Sequence, residues 1–281
     1  MPQATKAAAK TGYAQISGGP NMYYEIHGTP ASPGQAPLVL LHGGFASTDA
    51  MATLTSQLAR SREVIAADLQ GHGRTADIDR PITYEALADD VAALAKHLQI
   101  AKADVMGYSL GAGTALQTTI RHAALVRKVV VVSAPFRREG WHADVLAQMN
   151  QMGPASAEVL KPSPIYRTYA RVAPRPGDWT ALVTKMSHLI QQDYDWSRDV
   201  VAIKAPLLLV FGDSDSVRPA HIVQFFELLG GGKKDGGWDN SGVPNSRLAI
   251  LPGTTHYNVD EAPALPAITA AFLDSPMPGA Q

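Results

Sequence analysis

One serine stands where a nucleophile could be made. Gly107-Tyr108-Ser109-Leu110-Gly111 follows the apolar run Ala103 to Met106 and opens the helical pattern Ala112-Gly113-Thr114-Ala115-Leu116. A serine on a sharp, strained strand-to-helix turn exposes its hydroxyl, and its neighbours two residues away must lack bulk. The helix that follows aims its first amides at the place where negative charge develops. Ser109 is therefore the expected nucleophile of an acyl transfer. Such chemistry needs backbone N–H groups aimed at the oxyanion of the tetrahedral intermediate. One is expected from Leu110. The other is expected from Gly44, with Phe45 as the alternative, in the Gly-rich turn of Leu38-Val39-Leu40-Leu41-His42-Gly43-Gly44-Phe45-Ala46-Ser47. Glycine there lets the backbone approach a substrate carbonyl. His42 is read as a brace for this turn and not as a base.

The elements that must position these residues follow from the hydrophobic pattern. Pro37 to Leu41, Val64 to Ala67, Ala103 to Met106, Lys128 to Val132, Leu207 to Phe211 and Arg247 to Leu251 are short, mostly apolar runs of strand length. Ala14 to Ser17 and Met22 to His27 read as a strand pair ahead of them. Tyr84, Leu87, Val91, Leu94 and Leu98 recur at helical spacing, with Thr83 placed as cap. Strand–helix alternation predicts an α/β fold: a mainly parallel central sheet with helices on both faces and right-handed crossovers. Ligands then bind beyond the carboxyl ends of the strands, and Ser109 and Gly44 both fall just after one. The stretch from Phe136 to Lys204 carries no convincing strand and several large side chains, among them Trp141, Met149, Tyr166, Trp179, Met186 and Tyr194. It predicts a helical cap over residues 136–203, with residues 1–135 and 204–281 forming the core. Gly230 to Ser246 predicts a surface loop. The first ten residues and Ser275 to Gln281 read as loose ends.

On these motifs the chain resembles the α/β-hydrolase superfamily, in the branch of small bacterial esterases, lactonases, carbon–carbon bond hydrolases and cofactor-free perhydrolases. The resemblance runs in motif order from about Pro37 to Leu273, outside the cap. It includes Asp68-Leu69-Gln70-Gly71-His72-Gly73-Arg74-Thr75, similar to the family's D-x-x-G-x-G-x-S turn with Thr75 where serine is usual. In the family that turn is structural, so Asp68 and His72 are expected to be scaffold. The resemblance implies the chain order nucleophile, acid, histidine. Gly212-Asp213-Ser214-Asp215-Ser216-Val217-Arg218-Pro219 is similar to the family's G-x-x-D-x-x-x-P pattern, which selects Asp215 as the acid and leaves Asp213 as the other candidate. Of nine histidines, only His256 follows the last strand. The resemblance implies that it is the base, with Asp215 fixing its tautomer and stabilising the imidazolium.

Composition bounds the partners. Of 281 residues, 46% are hydrophobic and 17% charged, which suits a globular chain with a sizeable core. Lys plus Arg is 24 against 25 for Asp plus Glu, a formal net charge of -1. No positive excess is available for nucleic acid, and no run approaches the ~20 apolar residues of a membrane span. A small-molecule substrate is the expected partner. The chain has no cysteine, which excludes disulfides and thiolate chemistry. With no apolar leader, the expected location is the cytoplasm. No cofactor and no metal are expected. Hydrolysis of small, apolar carboxylic esters is the broadest expectation. A lactonase or carbon–carbon bond hydrolase would use the same residues, and a small-molecule receptor with slow turnover is the reading from another class.

Overall fold

The computed structural model describes residues 10–277. Its strands are β1 (Lys10–Gln15), β2 (Asn21–His27), β3 (Leu38–Leu41), β4 (Val64–Ala67), β5 (Ala103–Tyr108), β6 (Val126–Val132), β7 (Leu207–Ser214) and β8 (Arg247–Thr255). They form one sheet in the order β1-β2-β4-β3-β5-β6-β7-β8. β1 and β2 pair antiparallel, as do β2 and β4, and every other pairing is parallel. The helices are α1 (Ala52–Leu58), α2 (Tyr84–His97), α3 (Leu110–Arg121), α4 (Ala143–Gln151), α5 (Ser156–Leu160), α6 (Pro164–Val172), α7 (Trp179–Gln191), α8 (Ser197–Ala202), α9 (Pro219–Leu228) and α10 (Leu265–Asp274).

The apolar runs become central strands because both faces of the sheet are covered. Alternate residues of one strand serve opposite cores. Val39, Leu41, Val105, Val129 and Val131 pack with Leu87 and Val91 of α2, Ala115 and Leu116 of α3 and Phe225 of α9. Leu38, Leu40, Met106, Val130 and Val132 pack instead with Leu54 and Leu58 of α1 and with Leu265 and Phe272 of α10. Helix α2 starts where its cap predicts, the Thr83 hydroxyl accepting from the Ala86 amide at 3.1 Å.

Between β6 and β7 the chain is helical, α4 to α8, and two isolated bridges (Arg137 with Asp195, Trp141 with Val217) are its strand-like pairings among the described residues. The apolar side chains of α7, including Trp179, Leu182 and Met186, continue the core that α2 and α3 begin. Polar ties reach across from this segment: Lys185 lies 2.6 Å from Asp77 and Arg171 3.1 Å from Asp49. Residues 230–246 hold no helix or strand.

Two expectations about the ends change. The first strand ends at Gln15, ahead of the predicted Ala14 to Ser17, because Ile16 to Pro20 closes a turn in which the Ile16 amide donates to the Pro20 carbonyl. Ser275 is anchored: Lys128 Nζ donates to its carbonyl at 2.5 Å and its hydroxyl at 2.9 Å. Residues 1–9 and 278–281, part of the predicted loose ends, lie outside the described residues.

Candidate active site

Ser109 sits between β5 and α3 with φ 53° and ψ -112°, a conformation that costs a non-glycine residue on the order of 1–3 kcal/mol. The flanking glycines are demanded by contact. A Cβ on Gly107 would lie 2.0 Å from the Gly111 carbonyl oxygen, and one on Gly111 would lie 2.4 Å from the Leu41 carbonyl oxygen. The Ser109 amide donates to Val132 O at 2.9 Å, tying the turn to the end of β6.

His256 follows β8. Tyr108, the last residue of β5, donates its hydroxyl to the His256 carbonyl at 2.5 Å, and the Asn258 side chain accepts from the Thr255 amide at 2.7 Å. The loop so held brings His256 Nε2 to 3.1 Å from Ser109 Oγ. Trp141 lies edge-on to the imidazole, with ring centres 5.3 Å apart.

Asp215 is buried beneath the histidine, but its nearer oxygen is 3.8 Å from His256 Nδ1, beyond hydrogen-bonding reach. Ser133 fills the gap. Its Oγ is 2.6 Å from Nδ1 and 2.8 Å from each carboxylate oxygen. The Gly212 amide donates to one oxygen and the Val217 amide to the other, both at 3.0 Å. Burial alone would raise this carboxyl. The neighbouring imidazole, the two amides and the Ser133 hydroxyl outweigh it and hold Asp215 below the usual carboxylate range. Asp213 is exposed and turns away, accepting from the Gly253 amide at 3.0 Å. Sequence reasoning did not single out Ser133. The signal present was its place directly after the Val129–Val132 run, at the carboxyl end of a strand.

On the oxyanion side, the Ala46 amide donates to the Gly43 carbonyl, closing a turn in which Phe45 takes φ 60°. Gly44 faces the cavity, where a Cβ would stand 3.1 Å from the Met186 methyl. Leu110 is the first residue of α3, so its amide has no partner within the helix. His42 braces this turn. Its Nδ1 donates to Gly43 O at 2.7 Å and its Nε2 accepts the Leu69 amide at 3.0 Å, and burial pushes its pKa down to about 4. Asp68 ties two loops together, accepting from the Thr48 and Arg74 amides at 2.7 Å each. Thr75 donates to Asp68 O and accepts from the Tyr23 amide. His72 is fully buried and donates to Gln70 O at 2.8 Å. These residues hold the site from behind.

Ser109 and His256 open on a cavity of about 290 Å³, at the lower end of the roughly 300–1,000 Å³ usual for small-molecule sites. Phe45, Tyr84 and Leu110 line it from the core, and Trp141, Met149, Ile165, Met186, Ile190 and Tyr194 from the segment between β6 and β7. His256 is the sole ionisable base among the described lining residues, and no Asp, Glu, Lys or Arg is among them. No group of three or more His, Asp or Glu among the described residues could hold a metal ion, and no described helix is long and apolar enough to cross a membrane.

Comparison with known proteins follows the same lines. The profile of the family described as "Alpha/beta hydrolase family" matches residues 38–267. A Haemophilus influenzae protein named "Putative esterase/lipase" is 27% identical over 144 residues, spanning 50% of this chain and 50% of that protein. The enol-lactonase from Burkholderia xenovorans LB400 superposes with a TM-score of 0.66 at 22% identity, covering 94% of this chain and 100% of that one. The carboxylesterase CesB from Bacillus subtilis superposes with a TM-score of 0.68 at 18% identity, covering 96% and 93%. At these identities the two superpositions speak for the fold alone.

Proposed function

The chain belongs to the α/β hydrolase family, and on that premise we propose that it hydrolyses small, uncharged carboxylic esters through an acyl-enzyme on Ser109. The observation that carries this reading is the 3.1 Å contact between Ser109 Oγ and His256 Nε2 at the wall of an apolar cavity. Ser109 Oγ attacks the ester carbonyl while His256 Nε2 takes its proton. The oxyanion is met by the amides of Leu110 and of Gly44 or Phe45. His256 then hands the proton to the departing alkoxide, and a water activated by the same nitrogen releases the acid. Asp215 is the carboxylate that stabilises the imidazolium. Residues 136–203 act as the cap that closes the cavity and selects the acyl group.

The lining favours esters over the other chemistries that these residues could perform. Acidic lactones and dienoate-type diketones carry a carboxylate, and a carboxylate placed in an apolar pocket without a cation is costly. The test is hydrolysis of p-nitrophenyl acetate through octanoate by the wild type and by Ser109→Ala. Turnover by the wild type with a loss of up to about 10⁶ in kcat in the variant is expected. Equal, slow rates in the two proteins would put a binding role ahead of hydrolysis.

A further inference from the structure

We propose that Ser133 is a positioning residue through which Asp215 acts on His256, so that the working array is Ser109–His256–Ser133–Asp215 and not a triad in direct contact. The inference rests on the reading of Ser109 and His256 above. Three observations carry it.

The first is distance. Asp215 and His256 are 3.8 Å apart at their nearest polar atoms, while Ser133 Oγ is 2.6 Å from one and 2.8 Å from the other. The second is proton arithmetic. An ionised carboxylate only accepts, and a hydroxyl has one proton to give. If Ser133 gives it to Asp215, the lone pair left on Oγ requires a proton on Nδ1. Nε2 is then the unprotonated nitrogen that faces Ser109 Oγ. The hydroxyl thereby sets the tautomer that general-base catalysis needs. The reverse polarity, with Oγ–H aimed at Nδ1, would withdraw a donor from a buried charge and is disfavoured. During attack the Ser109 proton moves to Nε2, Nδ1 keeps its own, and the imidazolium charge is felt by Asp215 across the hydroxyl. No proton is transferred to the carboxylate.

The third is the backbone. Ser133 is fully buried, holds φ 55° and is pinned by its amide to Val210 O at 2.9 Å. A side chain is kept where glycine would sit without strain, which is understandable if the hydroxyl is needed. The same point supplies a clean variant, because Ser133→Gly removes the hydroxyl at a backbone geometry that glycine adopts freely.

The titratable groups around His256 are Asp215 beneath it, Asp260 further along its own loop, and the Tyr108 and Tyr257 hydroxyls. None of the other three bridges Nδ1 to Asp215 among the described residues.

The experiment compares wild type, Ser133→Gly, Ser133→Ala, Asp215→Asn and the Ser133→Gly/Asp215→Asn double variant. One readout is the rate of Ser109 phosphonylation by a fluorophosphonate, with Ser109→Ala as the blank, together with kcat and KM on a p-nitrophenyl ester. Ser133→Gly should lower the rate by roughly 10²–10⁴-fold with KM little changed, and should move the acid limb of the pH profile to lower pH. The upper bound is the loss expected for removing the acid itself. The double variant should be no slower than Asp215→Asn by more than a few-fold, since residues acting in series are not additive. The second readout is the ¹⁵N spectrum of the His256 ring, which does not depend on turnover. The Nδ1–H form should dominate in the wild type and give way to the Nε2–H form in Ser133→Gly. Multiplying losses in the double variant, or a folded Ser133→Gly with an unchanged tautomer, overturns the proposal. A wild type that neither turns over nor is labelled sinks the hydrolase reading instead, and the ring spectrum still decides the role of Ser133.

Discussion

Asp213 and Asp215 are two residues apart, carry the same functional group, and face opposite ways. Asp215 is buried with four hydrogen-bonding contacts from Ser133, Gly212 and Val217, whereas Asp213 is exposed and shapes a turn by accepting from Gly253. Asp213→Asn should therefore keep ester hydrolysis within about tenfold of the wild type, while Asp215→Asn should lose on the order of 10⁴ in kcat. Steady-state kinetics on one p-nitrophenyl ester checks both. Ser109 stood out because local chemistry constrains its surroundings, with glycines where no Cβ fits; Asp215 and His256 were picked out by the family resemblance, in turns that follow late strands. Ser133 was not. Only its place directly after the Val129–Val132 run marks it in the chain, since its partners lie 82 and 123 residues away and meet it only once the strand ends are aligned.

The strands were legible in order and type, because a sheet covered on both faces prints its central strands as apolar runs. What escaped was whatever depends on a partner across the fold. Lys128 is the instance. It follows Arg127 in β6 ahead of four valines, is fully buried, and donates to the carbonyls of Phe272, Leu273 and Ser275 at the end of α10. A cation there satisfies carbonyls that a helix terminus leaves open and opposes the negative end of its dipole. Burial nonetheless pushes the ammonium down to about 8. Lys128→Met leaves those carbonyls buried without their donor and should cost about 2–4 kcal/mol in urea unfolding. The lysine lies at the opposite end of β6 from Ser133, so kcat at a temperature where the variant stays folded should not change.

For the molecule as a whole, buried neutral histidines govern acid stability. His42 and His221 are pushed down to about 4 and His72 to about 3, in each case chiefly by burial. The unfolded chain protonates its histidines near 6.5, so between that value and about 4 it binds protons that the native state refuses. Stability is fully present above pH 6.5 and is lost as pH falls toward 4. Asp68 and Asp260, each raised to about 6 by burial, work the other way: below pH 6 the native state takes protons that the unfolded carboxyls, near 4, still release. The histidines outweigh them. Urea unfolding at pH 5 should give a stability roughly 3 kcal/mol below that at pH 7. A stability that is flat or rises over this interval would contradict these assignments. None of this was open to a reading of the sequence, where His42 and His72 could be assigned to scaffold but not to a dry interior.

The placement of Trp141, edge-on and 5.3 Å from His256, also gives the enzyme an optical gauge. A protonated imidazole is an electron acceptor beside an excited indole, so the emission of Trp141 should dim as His256 gains its proton and recover as it is lost. Trp179 and Trp196 are buried among aromatic rings, and Trp238 is exposed in the Gly-rich loop. With those three replaced by phenylalanine, the remaining emission should follow the acid limb of the pH–rate profile and lose that dependence in His256→Gln. The proton on the proposed base, His256, could then be followed in real time without any substrate present.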